Sequence, residues 1–239
     1  MKSIHTFRQG LKDGVPIGLG YVSVSFTFGM MAVESGLPIW SAVLISATNL
    51  TSAGQFAGLS LIVQGGTMIE MALTQLIINL RYALMSLSLS QKLDDTMSMP
   101  HRLATSFGVT DEIFAVASGK EGEVGRSYLY GLILIPFLGW TGGTLLGAVA
   151  STLLPLAVRQ AMGIAIYGMF LAIIIPPARQ FPAVCKVVVL AAVLSCCVSW
   201  MPVFQWISSG FAIILCTLIA AGLGAVLFPI QQEKESEQV

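Results

Sequence analysis

The chain has 239 residues, of which 55% are hydrophobic and 10% are charged, with zero formal net charge and a mean hydropathy of +0.83. Soluble domains carry about 25% charged residues, so this composition excludes a water-soluble globular protein. A neutral chain without a basic block gives no indication of nucleic-acid binding. We therefore predict an all-α, polytopic transmembrane helix bundle.

Residues 1–14 are predicted to form a cytoplasmic interfacial segment, because apolar residues alternate with Arg8 and Lys12 at helical spacing. Residues 15–229 are predicted to form a single transmembrane transporter domain. The polar tail, residues 230–239, is predicted to be disordered.

Eight apolar runs in the transmembrane domain are candidate spans, at about residues 15–33, 39–63, 68–90, 104–118, 127–150, 160–175, 184–200 and 205–229. The run 104–118 is short, because a full crossing needs about 20 residues. The prediction is therefore seven to eight spans.

Two of the runs carry many polar and glycine residues, which a lipid-facing helix does not tolerate. We predict discontinuous helices with breaks near residues 51–55 and 107–112, because unwound backbone at mid-membrane binds ionic groups in secondary transporters. The alternative for the first run is polar packing between helices.

Orientation follows from the distribution of lysine and arginine. With eight crossings and a cytoplasmic N-terminus, the loop at 94–99 lies outside, and only Lys92, Arg102 and Arg159 are external. The positive-inside rule favours this arrangement. A rival arrangement has seven crossings, a re-entrant run 104–118 and an external N-terminus.

Three glycines at four-residue spacing, Gly139, Gly143 and Gly147, predict a tight packing face for another helix. That helix belongs either to this chain or to a partner. The four cysteines lie in apolar runs without a CxxC spacing, so we expect small buried side chains rather than disulfides or a zinc site.

Arg81 lies near the middle of one apolar run, and Asp111 and Glu112 lie within another. A cation at mid-membrane costs about 2.5–3.5 kcal/mol on insertion scales, so it needs a partner or a task. Arg81 is either a bidentate clamp for a substrate carboxylate or a permanent ion-pair partner of one of the two acids.

The two adjacent acids do not easily ionise together in a low-dielectric site, so they are candidates for amine recognition and proton transfer. The alternative is a structural one, in which Thr110 caps a helix and both acids lie in its first turn.

Five short motifs occur in a characteristic order: Phe7-x-x-Gly10, Pro16-x-Gly18, Gly54-Gln55-Phe56, Asn79-Leu80-Arg81 and Thr110-Asp111-Glu112. Together they resemble the AzlC family, the larger subunits of two-component branched-chain amino acid exporters, over about residues 5–230. The resemblance implies a small AzlD-type integral membrane partner and a neutral, apolar amino acid as substrate.

We therefore predict a carrier subunit that exports such amino acids across the cytoplasmic (inner) membrane, driven by the proton gradient. The predicted substrate-binding residues are Asn49, Gly54, Gln55, Phe56, Asn79, Arg81, Thr110 and Asp111. Glu112, together with Asp111, is predicted to couple protons.

Other functions are a transporter or channel for another small solute, or an intramembrane enzyme. A channel predicts rings of like charge, which are not visible. HExxH, GxSxG and P-loop motifs do not occur, and the two histidines, His5 and His101, lie outside the predicted spans. We therefore expect no enzymatic activity, no ATP hydrolysis, no cofactor and no metal.

Overall fold

The computed structural model describes residues 5–155, 171, 174–201, 207 and 209–228, which are helical apart from turns, helix breaks and one isolated parallel bridge. The helices are α1 (Phe7–Glu34), α2 (Ile39–Thr48), α3 (Ser52–Val63), α4 (Met68–Ser90), α5 (Met99–Ser106), α6 (Asp111–Ser118), α7 (Arg126–Leu153), α8 (Pro182–Trp200) and α9 (Ser209–Leu227). Helices α1, α4, α7, α8 and α9 are long and apolar enough to cross a membrane. The prediction of an all-α, multi-pass bundle is confirmed.

Two compact units divide the chain. The first contains α1–α3, most of α4, and α5–α7. The second contains the start of α4 together with α8 and α9.

Helices α1 and α7 form the central pair of the first unit, and they run parallel. A Cβ atom built at Gly14 would lie 2.8 Å from the Leu132 carbonyl oxygen, and one at Gly143 would lie 2.7 Å from the Val22 carbonyl oxygen. The two backbones touch only because these positions lack a side chain. The predicted glycine face of α7 therefore packs within this chain, against α1.

The expected boundary near residue 14 is not a break in the helix, because α1 continues from Phe7 through Pro16 to Glu34. Proline removes one backbone hydrogen bond, and neighbouring helices make this tolerable in a membrane protein. Here the packing of Gly14 against Leu132 and Pro136 holds this part of α1 in place.

Helices α2 and α3 form a hairpin rather than one span across residues 39–63. Residues 49–51 are extended, and the Gln55 side chain donates to Ser46 Oγ at 2.6 Å. In a straight helix these two residues would lie about 13 Å apart along the axis. The chain therefore folds back at the break, and α3 returns toward the end from which α2 entered.

Helices α5 and α6 form a second hairpin, separated by residues 107–110. The segments that flank it pair with each other: Asp94 N donates to Val124 O at 3.1 Å, and Val124 N donates to Lys92 O at 2.8 Å. Lys120, which follows α6, forms an ion pair of 2.7 Å with Asp13 of α1. The start of α1 therefore lies at the same end. The run 104–118 therefore does not cross, contrary to the eight-crossing arrangement.

The two hairpins enter from opposite ends of the first unit. The end at which α1 and α7 begin, here named the basic end, carries six basic residues: Arg8, Lys12, Lys92, Arg102, Lys120 and Arg126. The turns at residues 35–38 and 64–67, at the opposite end, contain no lysine or arginine. The positive-inside rule therefore predicts that the basic end faces the cytoplasm.

This arrangement corrects the external placement of the 94–99 loop, of Lys92 and of Arg102. The prediction failed because runs 39–63 and 104–118 were each counted as a crossing. Each of these hairpins returns to the end from which it entered, so the loop after it lies on the same side as the loop before it. The predicted span 160–175 lies almost entirely outside the described residues, and so does the tail 230–239. The total number of spans stays a prediction.

In the second unit, α8 and α9 are antiparallel, since Lys186 at the start of α8 lies 5.1 Å from the ring centroid of Phe228 after the end of α9. The start of α4 has a capping box, in which Thr67 N donates to Glu70 Oε2 at 2.7 Å. Three of the four free cysteines are exposed, which corrects the expectation that they are buried. They lie on α8, which has no buried residue and presents an apolar surface.

The α1–α7 contact predicts the effect of a larger side chain on α7. Gly143→Leu should lower the melting temperature of the detergent-solubilised protein by several degrees, because overpacking costs about 1–3 kcal/mol. Gly142→Leu is the control, since nothing lies within 4 Å of a Cβ at that position. Equal melting temperatures for the two variants would contradict the packing role.

Candidate functional site

The two helix breaks line one cavity of about 200 Å³ in the first unit. Residues 48–51 border it from the α2–α3 break, residues 106, 107 and 109 from the α5–α6 break, and Asn79 and Tyr82 from α4. Six of the lining side chains are polar: Thr48, Asn49, Thr51, Asn79, Tyr82 and Ser106. Of the predicted substrate-binding residues, Asn49 and Asn79 line this cavity.

Arg81 forms an ion pair with Asp111, with 2.7 Å between Nη1 and Oδ2. This contact joins α4 to α6 and identifies the acid that pairs with Arg81. The two side chains are 53% and 44% exposed, so the pair is accessible to a competing ion. The Arg81 guanidinium also lies 5.0 Å from the ring centroid of Tyr82, which places it next to a residue that lines the cavity.

Glu112 has a different partner from its neighbour Asp111. The Tyr21 hydroxyl, on α1, lies 2.5 Å from Glu112 Oε2 and 2.6 Å from Thr110 Oγ1. The phenol has one proton and donates to only one of these oxygens at a time. Thr110, predicted to bind substrate, caps α6 by accepting from Ile113 N at 3.4 Å, as the structural alternative supposed.

Gln55 is buried in a network that holds the first hairpin together. Its amide donates to Ser46 Oγ, and its carbonyl accepts from Trp140 Nε1 at 3.1 Å. Ser46 also lies 2.6 Å from Thr144 Oγ1, and the Trp140 ring packs on Tyr21 with 5.3 Å between centroids. Gln55 therefore connects α3 to α2 and α7, and does not line the cavity.

Gly54 and Phe56 also fix α3 in place rather than lining the cavity. The Gly54 carbonyl accepts from Gln75 Nε2 at 2.7 Å, and a Cβ on Gly54 would lie 2.6 Å from Gln75 Oε1. Phe56 is buried edge-on against Phe28 of α1, with 5.6 Å between centroids. A side chain at position 54 would therefore clash with Gln75 of α4.

A second cavity of about 200 Å³ adjoins the first and shares Ser106 and Val109 with it. Its lining is mostly aliphatic and includes Leu89, Ile113, Leu129 and Ile133. A polar space and an apolar space therefore lie side by side next to the second helix break.

Sequence reasoning missed Tyr21, Trp140, Tyr82 and Ser106 as parts of this site. The first two lie in ordinary apolar runs, where the sequence gives no signal for them. The other two lie beside features that were recognised, since Tyr82 follows Arg81 and Ser106 precedes the break. Within the described part of the chain, no group of three His, Cys, Asp or Glu residues could hold a metal ion.

Comparison with known proteins shows which family the chain is similar to. Residues 16–154 match the protein family described as AzlC protein. This match covers α1–α7 almost completely, including both hairpins and the ion pair between Arg81 and Asp111.

Two relatives align over most of their length. An uncharacterized membrane protein of Archaeoglobus fulgidus is 35% identical over 71% of this chain and 75% of its own length. The inner membrane protein YgaZ of Escherichia coli is 27% identical over 80% of each chain. No solved structure matches the chain. The chain therefore belongs to the AzlC family of membrane proteins.

Proposed function

We propose that this chain is the substrate-binding subunit of a carrier that exports branched-chain or similar neutral, apolar amino acids. The observation that carries the proposal is the polar cavity between two opposed helix breaks, beside an accessible ion pair and an aliphatic cavity. Irregular backbone around a central site is typical of secondary transporters.

An amino acid crosses as a zwitterion, so its carboxylate and ammonium groups both need partners. The carboxylate competes with Asp111 for the guanidinium of Arg81, which presents two parallel N–H donors to it. The half-exposed ion pair keeps Arg81 compensated when substrate is absent. The branched side chain occupies the adjoining aliphatic cavity, which supports the choice of an apolar substrate. Phe56, expected to line this pocket, packs elsewhere.

We assign proton coupling to Glu112. Asp111 is released from Arg81 when the substrate carboxylate binds to the guanidinium. The hydrogen bond from Tyr21 places Glu112 in contact with α1, at the tip of the second hairpin. A change in the charge of Glu112 alters that contact, so protonation is linked to the position of the hairpin. Protons move inward as the amino acid moves outward.

The proposal places the chain in the cytoplasmic membrane, as the name of the Escherichia coli relative states for that protein. It includes a small AzlD-type membrane subunit as partner. The exposed leucines along α4, including Leu76, Leu80, Leu84 and Leu87, are compatible with contact to lipid or to such a subunit.

Efflux of labelled valine from proteoliposomes containing both subunits tests the function. A carrier predicts saturable efflux, whereas a channel predicts a linear dependence on concentration and an enzyme predicts none. Arg81→Lys keeps the charge but loses the bidentate geometry, which is worth about 1.5–3 kcal/mol, so valine affinity should fall about tenfold or more. Arg8→Lys, at the exposed start of α1, is the control. Wild-type efflux by Arg81→Lys would exclude the clamp.

The pH dependence tests the role of Glu112. Wild-type efflux should accelerate as external pH falls, because inward proton movement drives outward amino acid movement. Glu112→Gln should still bind valine but lose this dependence, and Tyr21→Phe should weaken it while keeping the ring contact with Trp140. Glu121→Gln, in an exposed loop, is the control. An unchanged pH profile in Glu112→Gln would assign proton coupling elsewhere.

A further inference from the structure

Two oxygen atoms at the central cavity are buried without a hydrogen-bond partner among the described residues. They are Thr51 Oγ1, in the first helix break, and Asn79 Oδ1, on α4. Thr51 is 4% exposed, and both residues line the cavity. An unpaired buried polar group costs about 1–3 kcal/mol, so its retention at a cavity points to a ligand.

The two side chains lie next to each other. Both side chains lie against Gly54. A Cβ atom built on Gly54 would lie 2.8 Å from Thr51 Cγ2 and 3.1 Å from Asn79 Nδ2. The amide orientation of Asn79 is fixed, because its Nδ2 donates to Gln75 Oε1 at 3.1 Å. Its Oδ1 is therefore the atom left to accept a hydrogen bond from a ligand.

Two helix C-termini and one helix N-terminus border the cavity. The last residue of α2, Thr48, and the last residue of α5, Ser106, line it, and so does Thr51, the residue before the first turn of α3. Helix C-termini carry about half a negative charge and present carbonyl groups without intrahelical partners. The cavity lining contains no basic residue that would oppose a cation.

We propose that Thr51 Oγ1, Asn79 Oδ1 and the carbonyl end of α2 form a binding site for a small monovalent cation. Its oxygen donors suit both a primary ammonium group and a sodium ion. This inference rests on the proposed function where the cation is the substrate ammonium group. The sequence made Asp111 and Glu112 candidates for amine recognition, whereas this site offers neutral oxygens that need no change of protonation.

The test uses the full-length chain with its partner subunit in detergent and measures melting temperature against ligand concentration. The probes are valine, isobutylamine (valine without its carboxylate), isovalerate (valine without its amine), and sodium chloride against choline chloride. Either isobutylamine or sodium should raise the melting temperature, and isovalerate should not. A response to isobutylamine identifies the substrate ammonium group as the ligand, and a response to sodium alone identifies a metal cation.

Thr51→Val replaces only the hydroxyl, by a methyl group, and suits the extended backbone at that position, so the ligand-free protein should melt no lower than wild type. The cation response should weaken about 10- to 100-fold, as expected for loss of a hydrogen bond to a charged group. Thr51→Ser should preserve the response. Thr141→Val is the matched control, because Thr141 Oγ1 is also buried without a partner among the described residues but lies away from the cavity.

The inference is overturned if neither cationic probe has an effect, or if Thr51→Val responds like wild type. Valine efflux that persists in either case would leave the proposed function standing. Cation binding that depends on Thr51, in a protein that moves no amino acid, would instead retain the site and reject the function.

Discussion

One constraint governs the first unit: backbone that leaves the helix inside a membrane must be covered by protein or must line a polar space. The chain breaks its helices twice, at residues 49–51 and 107–110, and the structure places both breaks around the same cavity. The two hairpins enter the first unit from opposite ends. Each one therefore needs to reach only halfway across the unit for the two breaks to meet. The same polar space therefore serves the backbone of both breaks.

The α1–α7 pair is the fixed part against which the hairpins pack. Glycine contacts such as that of Gly143 with Val22 bring the two backbones together. From this pair, Tyr21 bonds to the tip of the second hairpin and Trp140 bonds to Gln55 of the first. Tyr21 and Trp140 also pack on each other, so the contacts of the two hairpins lie next to each other on the α1–α7 pair.

Most polar groups at the hairpins are satisfied across helices, and this separates structural residues from candidate ligand contacts. Gln55 uses both ends of its amide within the protein, so it has little left to offer a substrate. Thr51 and Asn79 differ, since each has an oxygen without a partner among the described residues. Arg81 can exchange Asp111 for a substrate carboxylate, because the ion pair between Arg81 and Asp111 is half exposed.

The sequence predicted the helical class, both helix breaks and an ion pair between Arg81 and one of two acids, because composition, polar residues and buried charge are local signals. It did not predict the first hairpin, and it included the second only in the rival arrangement with a re-entrant run 104–118. Whether a broken run crosses or returns depends on long-range contacts, such as the pairing of Lys92 with Val124, that leave no periodic pattern. The positive-inside count misled for the same reason, since it assumed that each apolar run changes sides.

The sequence alone could not distinguish a structural role for Gln55 and Phe56 from contact with substrate. A glutamine inside an apolar run indicates a polar environment but not which partner satisfies it. Only the three-dimensional arrangement shows that Trp140 and Ser46 do so.

Opposed entry of the two hairpins is the central claim, and cysteine accessibility in intact cells tests it directly. Single cysteines at Asp95 and Glu121 flank the second hairpin, and single cysteines at Ser35 and Gln64 flank the first, in a chain whose four native cysteines are replaced. A membrane-impermeant thiol reagent should label residues 35 and 64 from outside and should leave 95 and 121 unlabelled until the cells are opened. Labelling that separates 95 from 121, or 35 from 64, or that places both pairs on the same side, would contradict the account.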